Sequence, residues 1–301
     1  MIRPASYLFL ILVLPALSSA QTPAVCAGTI VRIDSFRSAY VETRRVDIWL
    51  PAGYDATRRY AVLYVHDGQR LFDSSVTAKG EEWGMDETLT ALMNAGKVRN
   101  TMVVGIWSNA AARHAEYFPW KPVAVLPAAE RAGIAKLDFN DDPRSDRYLK
   151  FMVRELKPYV DAHFSTLPDR ENTFVAGSSM GGLIALYAVC EYPDVFVGAA
   201  CLSPHWIGNT GRRDAVIPSA FRDYLRTHLP DPATHRFYFD HGTIGVDSLY
   251  APGQRMIDEV MRSGGYDESR WMSREFPGAN HSERDWYRRL AIPMEFLLGR
   301  R

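Results

Sequence analysis

Cysteine is scarce in this chain: Cys26, Cys190 and Cys201 are all it has in 301 residues. That excludes a disulfide-built scaffold, and no cysteine spacing suggests a metal site. At most one disulfide can form, with Cys190 and Cys201 as its candidate partners; two buried free thiols are the competing reading. Net charge is missing too. Thirty-five basic residues balance thirty-five acidic ones, so the chain lacks the electrostatic footprint of a nucleic-acid binder, and polyanionic substrates are disfavoured. Internal repeats and low-complexity tracts are absent. The apolar run near the N-terminus, Tyr7 to Leu14, falls short of the ~20 residues that a spanning helix needs.

That run has another meaning. Arg3 precedes it, and Pro15 and the small residues Ser18, Ser19 and Ala20 follow. A charged region, an apolar region and a small-residue cleavage site make a secretory leader over residues 1–20. The expected mature domain is 21–301, secreted or periplasmic, with no stable membrane anchor once the leader is cleaved after Ala20.

Beyond the leader, strand-like and helix-like segments alternate. Val31–Phe36 and Arg45–Leu50 have no helix between them and read as an antiparallel pair. Tyr60–Val65 is a continuous apolar run of the kind covered on both faces; Thr101–Trp107 and Asn172–Ala176 read as buried strands, and Val197–Leu202, Arg236–His241 and Trp271–Phe276 as further strands. Amphipathic helices are interleaved from the third strand onward. One, Arg147–Phe164, should kink at Pro158. The last, about Glu283 to Leu298, is interrupted near Pro293. Eight strands in this order predict an α/β fold, a mainly parallel sheet with helices on both faces in a single domain. Residues 108–144 are proline-dotted and weakly periodic. They read as a long loop forming a wall or lid of a pocket, with a surface excursion of no role as the alternative.

The chemistry is carried by Gly177-Ser178-Ser179-Met180-Gly181. This fits G-x-S-x-G in the strand–turn–helix context that gives the motif meaning, with Ser179 as the nucleophile. A serine hydroxyl needs a base, and the base needs an orienting acid. On such a scaffold the chain order is serine, acid, histidine. Five histidines follow Ser179, at 205, 228, 235, 241 and 281; only His281 lies in the loop after the last strand. The acid should follow the strand Arg236–His241. Asp247, beyond the turn Gly242-Thr-Ile-Gly245, is preferred, and Asp240 at the strand end is the alternative. The tetrahedral oxyanion needs two placed donors. The N–H groups of Met180 and of Gln69, in His66-Asp67-Gly68-Gln69, are the candidates. His66 itself reads as structural.

These residues carry a resemblance. Leu63-Tyr-Val-His-Asp-Gly-Gln69, Glu82-Trp-Gly-Met-Asp86, Gly177–Gly182, Asp240-His-Gly-Thr243 with Asp247, and Gly278-Ala-Asn-His281 resemble the Putative esterase branch of the α/β-hydrolases. That branch includes feruloyl and acetyl-xylan esterases, ferric enterobactin esterases, esterase D and mycolyltransferases. The resemblance implies the α/β-hydrolase fold, Ser179–Asp247–His281 as triad, and Gln69 and Met180 as oxyanion donors. Its loops, not its core motifs, set the substrate. The spacing from Gly242 to Asp247 is longer than in some relatives, which leaves the acid the weakest match.

Trp83, Tyr117, Trp120, His205 and Trp206 follow strand ends on the expected active face. They are candidates for stacking on a sugar or phenolic ring, or anchors for loops. Arg113 and Glu116 are candidates for a polar substrate group, or partners of each other. The expected activity is that of a serine esterase forming an acyl-enzyme on a small-molecule or carbohydrate-linked ester, with no cofactor and no metal. The alternatives are an acyltransferase on the same triad and a noncatalytic binding protein of this fold.

Overall fold

The computed structural model describes residues 22–139, 141–208 and 214–300; the expected leader, 1–20, lies outside them. Eight strands form one sheet in the order β1-β2-β4-β3-β5-β6-β7-β8. They are β1 (Thr29–Phe36), β2 (Arg44–Leu50), β3 (Ala61–His66), β4 (Thr101–Ile106), β5 (Thr173–Ser178), β6 (Gly198–Leu202), β7 (Arg236–Gly242) and β8 (Trp271–Phe276). The β1–β2 and β2–β4 pairs are antiparallel. From β4 across to β8 every pair is parallel.

The apolar runs are continuous because each central strand feeds two cores. In β3, Val62 and Tyr64 face one layer while Ala61, Leu63 and Val65 face the other. The first layer holds α7 (Met180–Glu191), α8 (Val216–His228) and α9 (Ala251–Ser263). The second holds α1 (Met85–Asn94), α10 (Glu283–Arg289) and α11 (Ala291–Leu298). Because β3 to β8 run parallel, their C-terminal ends share one sheet edge. The loops that leave this edge carry the chemistry, as is general for parallel sheets.

Two expectations are refined. The segment around Pro158 is α5 (Ser145–Phe151), a π-helical turn (Met152–Leu156) and α6 (Lys157–His163). The wider turn lies just where the proline ring and its missing N–H would spoil α-helical bonding. The stretch 108–144 is no irregular loop. It holds α2 (Arg113–Tyr117), α3 (Trp120–Ala124) and α4 (Ala128–Phe139). Phe118 and Trp120 both pack on Phe139, with ring centroids 5.4 and 5.9 Å apart. Two of these helices are single turns, too short for periodicity to register, and aromatic packing holds them. Cys190 and Cys201 are both buried free thiols, not a disulfide.

Candidate active site

Ser179 sits between β5 and α7 with φ 57° and ψ −122°. A non-glycine residue held there costs on the order of 1–3 kcal/mol, which surrounding contacts must cover. They do. Ser179 N–H extends the sheet by donating to Leu202 O at 2.8 Å, and Ser179 O accepts from Gly182 N–H at 3.0 Å and His205 N–H at 3.2 Å. Gly177 is required by close approach: a Cβ there would stand 2.3 Å from Gly181 O. Strand and helix thus meet too tightly for any side chain, and Ser179 is pushed out at the sheet edge.

His281 comes to the same edge in the loop after β8. Its Nδ1 lies 2.6 Å from Asp247 Oδ1. Asp247 is fully buried, and its Oδ2 accepts from Ser203 Oγ and Gly242 N–H, each at 2.7 Å. Burial alone would raise this carboxyl. The bonds from His281, Ser203 and Gly242 outweigh it and hold the group below its ordinary value. Ser203 was not foreseen from the sequence. Its hydroxyl donates to Asp247 and accepts from Trp286 Nε1 and Arg289 Nη2, both at 3.0 Å. One donor and two acceptor positions are thereby filled, so its proton has one place to point. It stands in the left-handed region, with φ 44°.

Asp240, the alternative acid, is spent elsewhere. In β7 it shares a face with Tyr238, two residues away, and turns toward α10. There Arg289 donates from Nε and Nη2 at 3.0 and 2.9 Å, and Tyr238 Oη at 2.9 Å. The pair is fully buried and does not meet His281.

Met180 is the first residue of α7, so its N–H has no acceptor within the helix. Gln69 lies in the short 3₁₀ turn Gly68–Arg70, ahead of that turn's first bond, Arg70 N–H to Asp67 O at 3.0 Å. Its side chain is pinned, with Nε2 donating to Ser108 Oγ at 2.7 Å and Oε1 accepting from Ser108 N–H at 3.1 Å. Gly68 crosses β4 so closely that a Cβ would stand 2.4 Å from the Gly105 carbonyl carbon.

Residues 38–291 match the Esterase family model, described as Putative esterase. The chain belongs to this family, and it is a carboxylic ester hydrolase. It is 21% identical over 265 residues to the uncharacterized protein YbbA of Bacillus subtilis, covering 85% of this chain and 93% of that one. A ferulic acid esterase from Anaeromyces mucronatus has a similar structure, with TM-score 0.62, 22% identity and 92% of each chain covered. So does the enterobactin esterase of Shigella flexneri, with TM-score 0.63, 16% identity, and 92% of this chain and 61% of that one covered. These structures share the α/β-hydrolase fold expected from the motifs.

The aromatic expectations for this esterase need correction. Trp83, Tyr117 and Trp206 are 1, 0 and 0% exposed. Trp83 packs on Trp286, and Trp206 Nε1 donates to Gln254 Oε1 at 2.9 Å. They are core residues with no face for a ligand. Trp120 is half-buried against Phe139. His205 does border the site, but as part of a pair: its Nδ1 lies 2.5 Å from Tyr250 Oη. Burial above all, with His281, His114 and Arg113 nearby, lowers the His205 imidazole to about 3, so it is neutral. Tyr250, also unforeseen, packs edge-on against both His205 and His281. Two cavities flank the group, though Ser179 lines neither. One of about 330 Å³ is lined by Gln69, Arg70, Val76, Trp107 and Glu283; the other, of about 260 Å³, by Ile207, Pro218, Leu249, Pro252 and Met256.

Arg113 and Glu116 do not pair with each other. Arg113 grips Asp67 with Nε and Nη2 at 2.8 and 2.7 Å, and Glu116 holds Arg44 at 2.7 and 3.0 Å. His66, just before Asp67, is structural: its Nδ1 meets Tyr148 Oη at 2.8 Å, and burial lowers it to about 3. Burial would raise Asp67; the Arg113 charge and bonds outweigh it and lower the carboxyl. A carboxyl lowered on folding binds fewer protons folded than unfolded, so stability present at neutral pH is lost as pH falls. The thermal midpoint should therefore drop once pH goes below about 4. Scanning calorimetry from pH 3 to 7 checks this: Asp67→Asn should be less stable at neutral pH and should show a shallower acid limb.

Proposed function

We propose that this esterase works through Ser179 as nucleophile, His281 as base and Asp247 as the acid that orients it. Ser179 Oγ attacks the ester carbonyl carbon as His281 Nε2 takes its proton. The Met180 and Gln69 N–H groups stabilise the oxyanion. Collapse of the tetrahedral species breaks the bond to the alcohol, which leaves with the proton from His281. Water, deprotonated by the same imidazole, then releases the acid and restores Ser179. Asp247 stabilises the imidazolium and keeps its Nδ1 proton in place. The observation that carries this reading is the 2.6 Å bond from His281 to Asp247 beside the strained Ser179 turn, with Tyr250 packed against both His281 and His205, whose N–H bonds the Ser179 carbonyl.

A fluorophosphonate probe and p-nitrophenyl acetate test it. Labelling mapped to Ser179, with hydrolysis that the probe abolishes, is the expected result. Hydrolysis without Ser179 labelling would refute the assignment, and absence of both would leave the binding-protein reading. Ester products formed on addition of an acceptor alcohol or sugar would point to acyl transfer.

Tyr250 is proposed as a positioning residue: its hydroxyl holds His205 and its ring packs against His281, beside Ser179. Tyr250→Phe keeps both ring contacts and loses one hydrogen-bonding group. It should lower kcat about tenfold, the worth of one hydrogen bond, with KM nearly unchanged. Steady-state kinetics on one aryl ester, with near-ultraviolet circular dichroism as a packing control, decides it.

The proposed substrate is a small-molecule or carbohydrate-linked ester, a class supported by the ferulic acid and enterobactin esterases of like structure. Rates on acetyl, butyryl, feruloyl and siderophore-type esters would rank the candidates. The proposed location is secreted or periplasmic, supported by the leader-like residues 1–20; N-terminal sequencing of the exported protein should begin at Gln21.

A further inference from the structure

A second set of ligating groups lies where the N-terminal segment meets α1, and ester hydrolysis does not use it. The Cys26 sulfur and one carboxylate oxygen each from Asp86 and Glu87 lie within 4.8 Å of one another. The backbone brings the cysteine there. Cys26 N–H donates to Asp86 Oδ2 at 2.7 Å, and Ala24 N–H to Asp73 Oδ2 at 2.8 Å.

A second, independent feature is what these groups lack. Asp86 is completely buried, yet its Oδ1 has no hydrogen-bond partner. The same holds for the buried oxygens Glu82 Oε2 and Glu87 Oε2 close by. A carboxylate oxygen taken from water and left unpaired is costly, and several together repel one another. A bound cation would satisfy these oxygens and cancel their repulsion.

We propose that Cys26, Asp86 and Glu87 bind a zinc ion that staples residues 24–26 to α1. A thiolate with two carboxylates suits zinc, whereas calcium and magnesium require oxygen alone. Zinc bonds of about 2.0–2.3 Å set tetrahedral donors roughly 3.3–3.8 Å apart, so modest side-chain rotations close the set. Binding forms a Zn–S bond as the thiol proton passes to water. The role is structural, and the inference does not rest on the hydrolytic mechanism. Spacing could not reveal the site, because Cys26 is sixty residues from Asp86 in the chain.

The test titrates the purified, chelator-treated protein with Zn²⁺ alone in a calorimeter, and with Co²⁺ in a spectrophotometer. One equivalent of zinc should bind, and cobalt should give a thiolate charge-transfer band. Cys26 is exposed and Glu87 only half-buried, so Cys26→Ser and Glu87→Gln should fold; each should weaken zinc binding at least about tenfold, and the first should remove the cobalt band. Zinc should raise the thermal midpoint of the wild type and not of the double variant. Absence of stoichiometric binding, or equal binding by the wild type and both variants, would overturn the proposal.

Discussion

Ser179→Ala should lower kcat by roughly a millionfold, the scale on which loss of a triad serine acts, and leave the fold intact. The turn is held by backbone bonds to Leu202, Gly182 and His205 and by the glycine at 177. None of these involves the Ser179 hydroxyl. Alanine meets the same backbone strain at φ 57°, so stability should change by no more than about 0.5 kcal/mol. The Met180 and Gln69 N–H groups remain, so a residual rate of about a thousandfold over water is expected. Fluorophosphonate labelling should disappear with the rate. A purified variant within tenfold of wild-type kcat would end the assignment of Ser179 as nucleophile.

Much of this arrangement was legible in the sequence, for physical reasons. Strands buried on both faces announce themselves as apolar runs, so Thr101–Ile106 stood out within one residue of its end. The turn at Ser179 was readable because its glycine is enforced by contact with Gly181. What hid were roles created by convergence. Ser203 and Tyr250 belong to different loops and acquire meaning only when β6, β7 and β8 end side by side. Neither has a spacing that signals it. The aromatics misled in the opposite direction. Trp83 and Trp206 follow strand ends, yet large rings at a sheet edge also plug the seam between sheet and helices, and both are buried there. Proximity in sequence to the active edge says nothing about which way a ring faces. The helices Arg113–Tyr117 and Trp120–Ala124 failed to register because single turns, punctuated by Pro119 and Pro122, carry too few residues to show a period.

Asp247→Asn and Asp240→Asn should fail in different ways, and the contrast decides between the two acids. An amide at 247 still fits beside Ser203 and Gly242 but no longer fixes the His281 proton on Nδ1. The imidazole can then present a proton, not a lone pair, to Ser179. A fall in kcat of about ten-thousandfold is expected, with the fold preserved. At 240 the loss is structural. Arg289 is 3% exposed at its side chain and faces a fully buried carboxylate. Removing that charge leaves a buried guanidinium uncompensated, at a cost of about 3–5 kcal/mol and a thermal midpoint lower by on the order of 10 °C. Catalysis should fall much less, and through one route: Arg289 also donates to the Ser203 hydroxyl that bonds Asp247. Calorimetry and kcat measured on both variants separate the outcomes. Should the 240 variant lose ten-thousandfold in kcat while the 247 variant keeps near-normal turnover, the acid has been misassigned. The physical basis for expecting otherwise is how each oxygen is occupied. Both Asp240 oxygens are taken by Arg289, Tyr238 and the Ser203 backbone, whereas Asp247 turns Oδ1 to His281 and uses Oδ2 to hold itself in place.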